Sequence, residues 1–363
     1  MQRIIKPYIS FDEVETDFRE ILESGILTKG PYVGRFRERI REYIGASNAF
    51  LTTSATTALW LSLKAAGIKA GDEVIVSDFS FPASANVIED LGAIPVFADV
   101  DLHTFNMLPE ELEKKLTRKT KAVMFVDALG NPSGILEIKN ICKKYNLILI
   151  EDAACAFGSS VNNIKCGNIA DMTCFSFHPR KLLTTGEGGA ITTNLPGYTR
   201  FFEVKLNHGA VVDSQKQDFV DYGYNFRLPE IQAAMGIKQV EKIDSIIESR
   251  QKIKAEYVKQ LNSLGFAVQT CDDNVVHNVQ SVVFKVPEGL DRDGLIAHLR
   301  NNQIESTLGT YCLSNTTYYR NKYGQIQPNA AFLEKNTITL PCFEGVDVNH
   351  ICESISKFVK PAN

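Results

Sequence analysis

The sequence predicts an α/β protein: a large domain with a mostly parallel seven-stranded sheet flanked by helices, then a smaller α+β domain. Three observations lead there. Between residues 48 and 193, short β-rich runs alternate with helical ones, the pattern of strands joined by helical crossovers. Two of those runs, "EVIVSD" and "LILIEDAA", are nearly continuous apolar stretches ending in a carboxylate, as strands buried on both faces read. After about residue 262 the pattern changes to an alternating strand, "VQSVVFKV", and two amphipathic runs.

Taken in order, the strand candidates of the large domain are "NAFLTT", "EVIVSD", "IPVFADV", "KAVMFVDAL", "LILIEDAA", "MTCFSF" and "GGAITT". Helical runs separate many of them. Residues 56–66 open on Thr56 and Thr57, which suit a helix N-terminus. Residues 134–145, "GILEIKNICKKY", are apolar at three- and four-residue steps. Pro229 fits the first turn of a helix, and the pattern after it is long enough to bridge two domains. In the smaller domain "DRDGLIAHLRNNQ" and "VDVNHICESISKFVK" read as helices. The expected division is 1–240 and 241–363. No Pro/Gly linker marks it, so the two parts are expected to pack rigidly.

The chain has 363 residues, 44% of them apolar and 23% charged, so it can bury a large core. Its net charge of −4 is spread along the chain, which argues against a nucleic-acid partner. No apolar run approaches a bilayer's thickness. The N-terminal segment lacks an apolar leader core and carries acids early. The expected compartment is the cytoplasm, with no membrane contact. The eight cysteines match neither a CxxC metal site nor a disulfide framework, and are expected as free thiols. The six histidines show no HExxH spacing, so no metal is expected. Neither a GxSxG elbow nor a GxGxxG turn after a strand occurs.

Several residues suit chemistry, although each has a plain structural reading. Asp152, beside Glu151, ends an apolar strand: it is a cap for the next segment or an acid that holds a cationic ring nitrogen. Thr56 and Thr57 cap a helix, or leave its N–H groups for a phosphate. Phe81 is a core aromatic or a platform for a flat heterocycle. Ser176 ends the strand "MTCFSF", and Lys181 follows in "SFHPRKLLTTGEGG". The glycines there suit a tight turn better than a phosphate loop.

One cofactor needs all these groups together. Pyridoxal 5′-phosphate (PLP) requires a lysine amine, a carboxylate at its ring nitrogen, phosphate donors and a stacking partner. The lysine, once released, can carry a proton between two carbons.

With these motifs in place, the chain resembles the DegT/DnrJ/EryC1/StrS aminotransferases, which have the type I PLP fold. The resemblance runs from "GILTKGPYVGRF" to "LPCFEGVDV" and is strongest over residues 25–237. It implies PLP covalently bound to Lys181, Asp152 at the ring nitrogen and Phe81 stacked on the ring. Thr56 and Ser176 fall at phosphate-binding positions, with Ala55 and Thr57 beside them. Asn225, in "GYNFR", matches an asparagine that reaches the neighbouring subunit's phosphate. That implies a homodimer with shared active sites.

The resemblance also implies the reaction. An amino donor, expected to be L-glutamate, gives its amine to a ketone in a ping-pong cycle. The acceptor by family is a nucleotide-linked keto-deoxysugar for surface-glycan biosynthesis. The alternatives are a small keto-phosphate acceptor, a deoxysugar dehydratase, and a non-catalytic regulatory member. Dehydratase relatives carry histidine in place of the lysine. Here position 181 is lysine, with His178 three residues earlier.

Four positions depart from the family pattern. Cys155 stands where glutamine is usual, a position that contacts the ring hydroxyl or substrate. Ala55 makes "SAT" from "SGT", and Asp127 replaces a frequent histidine. "TYCLSNTTYYR", around Tyr311, departs from a run usually containing His and Gln. These changes bear on the acceptor more than on the cofactor.

Overall fold

The computed structural model describes residues 1–213 and 216–360. Seven strands form the main sheet: β1 (Asn48–Thr52), β2 (Glu73–Ser77), β3 (Ile94–Ala98), β4 (Thr120–Val126), β5 (Ile148–Asp152), β6 (Met172–Ser176) and β7 (Gly189–Thr193). Their spatial order is β1-β7-β6-β5-β4-β2-β3. Only β7 runs against its neighbours, pairing antiparallel with β1 and β6. All seven runs expected to be strands are in this sheet.

Helices cover both faces, which is why the strands are apolar throughout. On one face, Leu59, Leu61 and Leu63 of helix Ala55–Ala65 pack on Val74, Val76, Ile150 and Met172. On the other, Ile135, Ile138 and Cys142 of helix Ile135–Tyr145 pack on Ile75, Val123, Phe125 and Leu149. Each such side chain contributes about 1.5–3 kcal/mol when fully buried. The parallel strands all end on one edge, so their carboxyl ends gather Ser77, Val126, Asp152 and Ser176.

The long helical pattern after Pro229 is two helices, Glu230–Val240 and Ile243–Leu261. Pro229 lies just before the first, as its cap. The break falls at Glu241 and Lys242, where the Lys242 backbone leaves helical geometry (φ −120°, ψ 12°). The bend keeps Ile243, Ile246 and Ile247 in the same core as Ile237 and Val240. Polar Glu241 and Lys242 turn outward, and Lys242 ion-pairs with Glu13.

The second helix leads into a three-stranded antiparallel sheet, Ala267–Val268, Val282–Lys285 and Thr337–Leu340. Helices Arg292–Asn301 and Val348–Val359 cover it, and Tyr257, Phe284, Leu295 and Ile351 form its own core. The first residues of the chain also join this layer. Gln2 donates to the Gln303 carbonyl (2.8 Å), and Cys342 donates to the Ile4 carbonyl (2.9 Å). No helix among the described residues is long and apolar enough to cross a membrane.

Candidate active site

A cavity of about 640 Å³ opens at the carboxyl edge of the sheet, against the smaller layer. It is lined by Lys181, Asp152, Ala55, Thr56, Phe81, Cys155 and Ser176. Seven sequence-selected residues thus meet, although they span positions 55 to 181. Asn225 does not line the cavity of its own chain. It is exposed and pairs through its backbone with Asn207.

Each side chain reaches the cavity for a local reason. Helix Ala55–Ala65 begins one residue earlier than its threonines suggest, because Ser54 is the cap. The Ser54 hydroxyl accepts from the Thr57 N–H (3.2 Å), and the Ser54 N–H donates to the Thr57 hydroxyl (3.1 Å). Thr57 is therefore consumed by the cap, and Ala55 and Thr56 face the cavity at the positive end of the helix. The glycine turn after Lys181 packs here too. A Cβ on Gly189 would lie 2.7 Å from the Ala55 nitrogen, so only glycine lets β7 pass this helix end. That is a close approach of backbones, not a phosphate loop.

Asp152 is 5% exposed. Its Oδ2 accepts from the Ser84 hydroxyl (2.7 Å), and its Oδ1 accepts from the Ala154 N–H (3.2 Å). Burial pushes its carboxyl above the ordinary range. The Ser84 hydroxyl, the Ala154 N–H and the Lys181 ammonium pull it back. Ser84 in turn meets Ser80 at 2.8 Å.

Lys181 is half-buried, and its Nζ donates to the Cys155 thiol at 2.9 Å. Among the described residues it makes no salt bridge. His178 is turned back into its own loop, where its Nδ1 accepts from the Arg180 N–H (3.2 Å). Burial, helped by Lys181 and Arg180, lowers the His178 pKa.

Phe81 is 64% exposed, so it is not a core aromatic. It meets Tyr311 edge-on at 6.3 Å. Tyr311 and Cys312 add a short antiparallel pair to Ser80 and Phe79. Asp78 anchors that pairing, accepting from the Ser314 N–H (2.7 Å) and hydroxyl (2.6 Å), and burial raises its pKa to about 6.

Sequence reasoning missed the residues that hold these groups in place. Gln280 accepts from the Leu182 N–H (2.8 Å) and donates to the Arg180 carbonyl (2.6 Å), fixing the lysine loop. Asn278 donates to the carbonyls of Cys155 (2.8 Å) and Phe157 (3.0 Å). Fully buried Arg250 donates to the carbonyls of Val279 (2.7 Å), Gln280 (2.8 Å) and Cys342. Ser84 was legible only as part of "SFPAS", Gln280 only as a polar residue inside the strand pattern "VQSVVFKV", and Asn278, just before that pattern, carried no signal.

The donor set suits a flat, anionic, cationic-ring cofactor. A buried carboxylate, a helix N-terminus with hydroxyls, an exposed aromatic face and a lysine that makes no salt bridge among the described residues all border one cavity.

A profile of the DegT/DnrJ/EryC1/StrS aminotransferase family matches residues 10–358. The chain belongs to this family. It is 36% identical to GDP-perosamine synthase of Escherichia coli O157:H7, over 92% of both chains. Its fold superposes on Helicobacter pylori PseC, an aminotransferase of pseudoaminic acid biosynthesis, with a TM-score of 0.92 at 26% identity over 98% of each chain. It also superposes on a sugar-aminotransferase candidate from Streptococcus pneumoniae in its PLP-form. There the TM-score is 0.90 at 28% identity, over 98% of this chain and 97% of the other. The protein is an aminotransferase.

Proposed function

We propose that this PLP-dependent aminotransferase moves an amino group from an amino acid, L-glutamate by preference, to a keto group of a nucleotide-linked keto-deoxysugar for surface-glycan biosynthesis. The observation that carries the reading is the convergence of Lys181, Asp152, Thr56, Phe81 and Ser176 on one cavity. The sugar acceptor is supported by the relatives, and a small keto-phosphate is the competing acceptor.

Lys181 would hold the cofactor covalently, Asp152 its ring nitrogen, Phe81 its ring face, and Ala55, Thr56 and Ser176 its phosphate. Cys155 would stand at the edge of the ring. When bound, PLP supplies an electron sink for the carbanion formed at the substrate carbon. The Ser84 and Ala154 donors favour the charged form of Asp152 against the burial that opposes it, and in that form Asp152 would hold a proton on the ring nitrogen. Lys181, which makes no salt bridge among the described residues, would accept a proton at Nζ from one carbon and return it to another. The Tyr311 segment lines the cavity beside Phe81.

The same reading divides the chain at 240/241, where the helical pattern bends, and places it in the cytoplasm, which suits its free cysteines. It also makes the enzyme a homodimer in which Asn225 serves the neighbour's site. Exposed Asn225, outside its own cavity, supports that arrangement. Mixing Lys181→Ala and Asn225→Ala subunits is expected to restore part of the activity. Heterodimers that stay inactive would count against shared sites.

The main test has two parts. Borohydride reduction followed by peptide mapping is expected to label Lys181, and label on another lysine overturns the attachment. The enzyme is then converted to its amine-loaded form with L-glutamate, and keto compounds are screened for return of the starting spectrum. Nucleotide-linked keto-deoxysugars are expected to succeed, and response only to small keto-phosphates would replace the sugar acceptor.

A further inference from the structure

Behind Asp152 lies a second group of acids that the proposed chemistry does not use. The register pairs Phe125 with Glu151 and Val126 with Asp152. Side-chain alternation then places Asp127 and Glu151 on the face of the sheet opposite Asp152. The two elements are tied by the Asp127 N–H, which donates to the Asp152 carbonyl (3.2 Å).

Asp127 and Glu151 are both 0% exposed. Both carboxyl oxygens of Asp127 and Oε1 of Glu151 have no hydrogen-bond partner among the described residues. Oε2 of Glu151 accepts from the Thr173 hydroxyl (2.6 Å) and the Gly167 N–H (3.1 Å). The Cys166 thiol completes the group, and one ligating atom from each of Asp127, Glu151 and Cys166 lies within 4.8 Å of the others.

Two ionised carboxylates cannot stand this way. Each would be desolvated and repelled by the other, and three of their four oxygens would have no donor among the described residues. The titratable group on their own face is Cys166, in the loop before β6, while Asp152 and its register partner Cys174 act on them from the other face of the sheet. Lys181 acts on Asp152 from the cavity, which Asp127 also borders, and among the described residues neither Asp127 nor Glu151 makes a salt bridge. Burial first, then the charge of Glu151, drives the Asp127 carboxyl well above the ordinary range. Burial raises Cys166 too, so it stays a thiol. A proton between the two acids turns one orphan oxygen into a donor and leaves one negative charge.

We propose that Asp127 and Glu151 share a single proton, and that the pair's remaining negative charge makes it a positioning element behind Asp152. That charge helps Asp152 keep the cofactor's ring nitrogen protonated. The second half rests on Asp152 being the ring-nitrogen partner, as argued above. The first half does not.

The test uses the holoenzyme. Asp127→Asn and Glu151→Gln each replace the shared proton with an amide N–H and keep one charge. The double variant removes the charge. Unfolding by urea between pH 5 and 7 reads the proton. A proton held in the native state and lost in the unfolded one makes stability fall as pH rises above the ordinary carboxylate range, near pH 4. The wild-type unfolding constant is therefore expected to climb about tenfold more per pH unit than that of either single variant. Equal slopes overturn the shared proton, and either variant suffices if the other fails to fold. A stoichiometric divalent metal in native mass spectra, lost in Asp127→Asn, would replace the proton by a cation.

The charge is read by the absorbance of bound PLP against pH. The single variants are expected to titrate like the wild type. The double is expected to titrate at lower pH and to bind PLP about tenfold more weakly. A double variant that matches the singles overturns the link to Asp152 while leaving the proton test standing. If Asp152 is not the ring-nitrogen partner, Asp152→Asn leaves the same titration unmoved, which separates that failure from this one.

Discussion

Lys205 and Lys181 are both withdrawn from water, yet their surroundings are opposite. Lys205 Nζ ion-pairs with Asp221 (2.8 Å), donates to the Tyr222 carbonyl (2.8 Å) and lies 3.3 Å over the Tyr222 ring. Every feature there favours a fixed ammonium. Lys181 meets a thiol and borders a cavity that it shares with Asp152, which is engaged by Ser84 and Ala154. Lys205 is tied by several partners at once, whereas among the described residues the Nζ of Lys181 meets only a sulfur, as the amine proposed to hold the cofactor would.

The comparison breaks most visibly through Lys181→Ala. Turnover is expected to fall by more than about a thousandfold with little change in thermal stability, because the amine both binds and moves protons. Next is Asp152→Asn. A neutral amide cannot hold a cationic nitrogen as a carboxylate does, so turnover should drop by about a hundredfold or more while some cofactor binding remains. Near-normal turnover in either variant would remove that residue from its role.

Lys205→Met should do the reverse and leave kcat near wild type. It should cost about 1–2 kcal/mol in urea unfolding, less than a fully buried pair because Asp221 can rehydrate. A stable but inactive Lys205→Met protein would erase the distinction between the two lysines. The smallest effect is expected from Ser84→Ala. It removes a donor that favours the charged carboxylate, so the Asp152 pKa rises further and the acid limb of the pH–rate profile moves to higher pH. One lost hydrogen bond of about 1 kcal/mol corresponds to roughly fivefold in rate near that limb. An unmoved limb would detach Ser84 from Asp152's charge state.

The sheet was legible because buried parallel strands must be apolar on both faces, and "EVIVSD" and "LILIEDAA" have no other comfortable environment. Lys181 and Asp152 were legible because a strand-end carboxylate and a loop lysine before a glycine turn form a joint pattern that the family resemblance sharpened. The break at Glu241–Lys242 was not legible. Helical periodicity continues through it, and only the core shared by Ile237 and Ile247 requires the bend. The cap at Ser54 was misplaced onto its neighbours because Ser and Thr are nearly equivalent as caps.

By itself the sequence determined which elements form and which residue types are available for chemistry. Hydrophobic period, turn chemistry and motif order are local properties, and each is complete within a short window. Only the tertiary structure decided which of those residues share an environment. It brought Asn278 and Gln280 against the Cys155 and Lys181 loops, and gave Lys205 a salt bridge that Lys181 lacks among the described residues. Burial and charge depend on neighbours distant in the chain, so two lysines that look alike in the sequence acquire opposite surroundings in the fold.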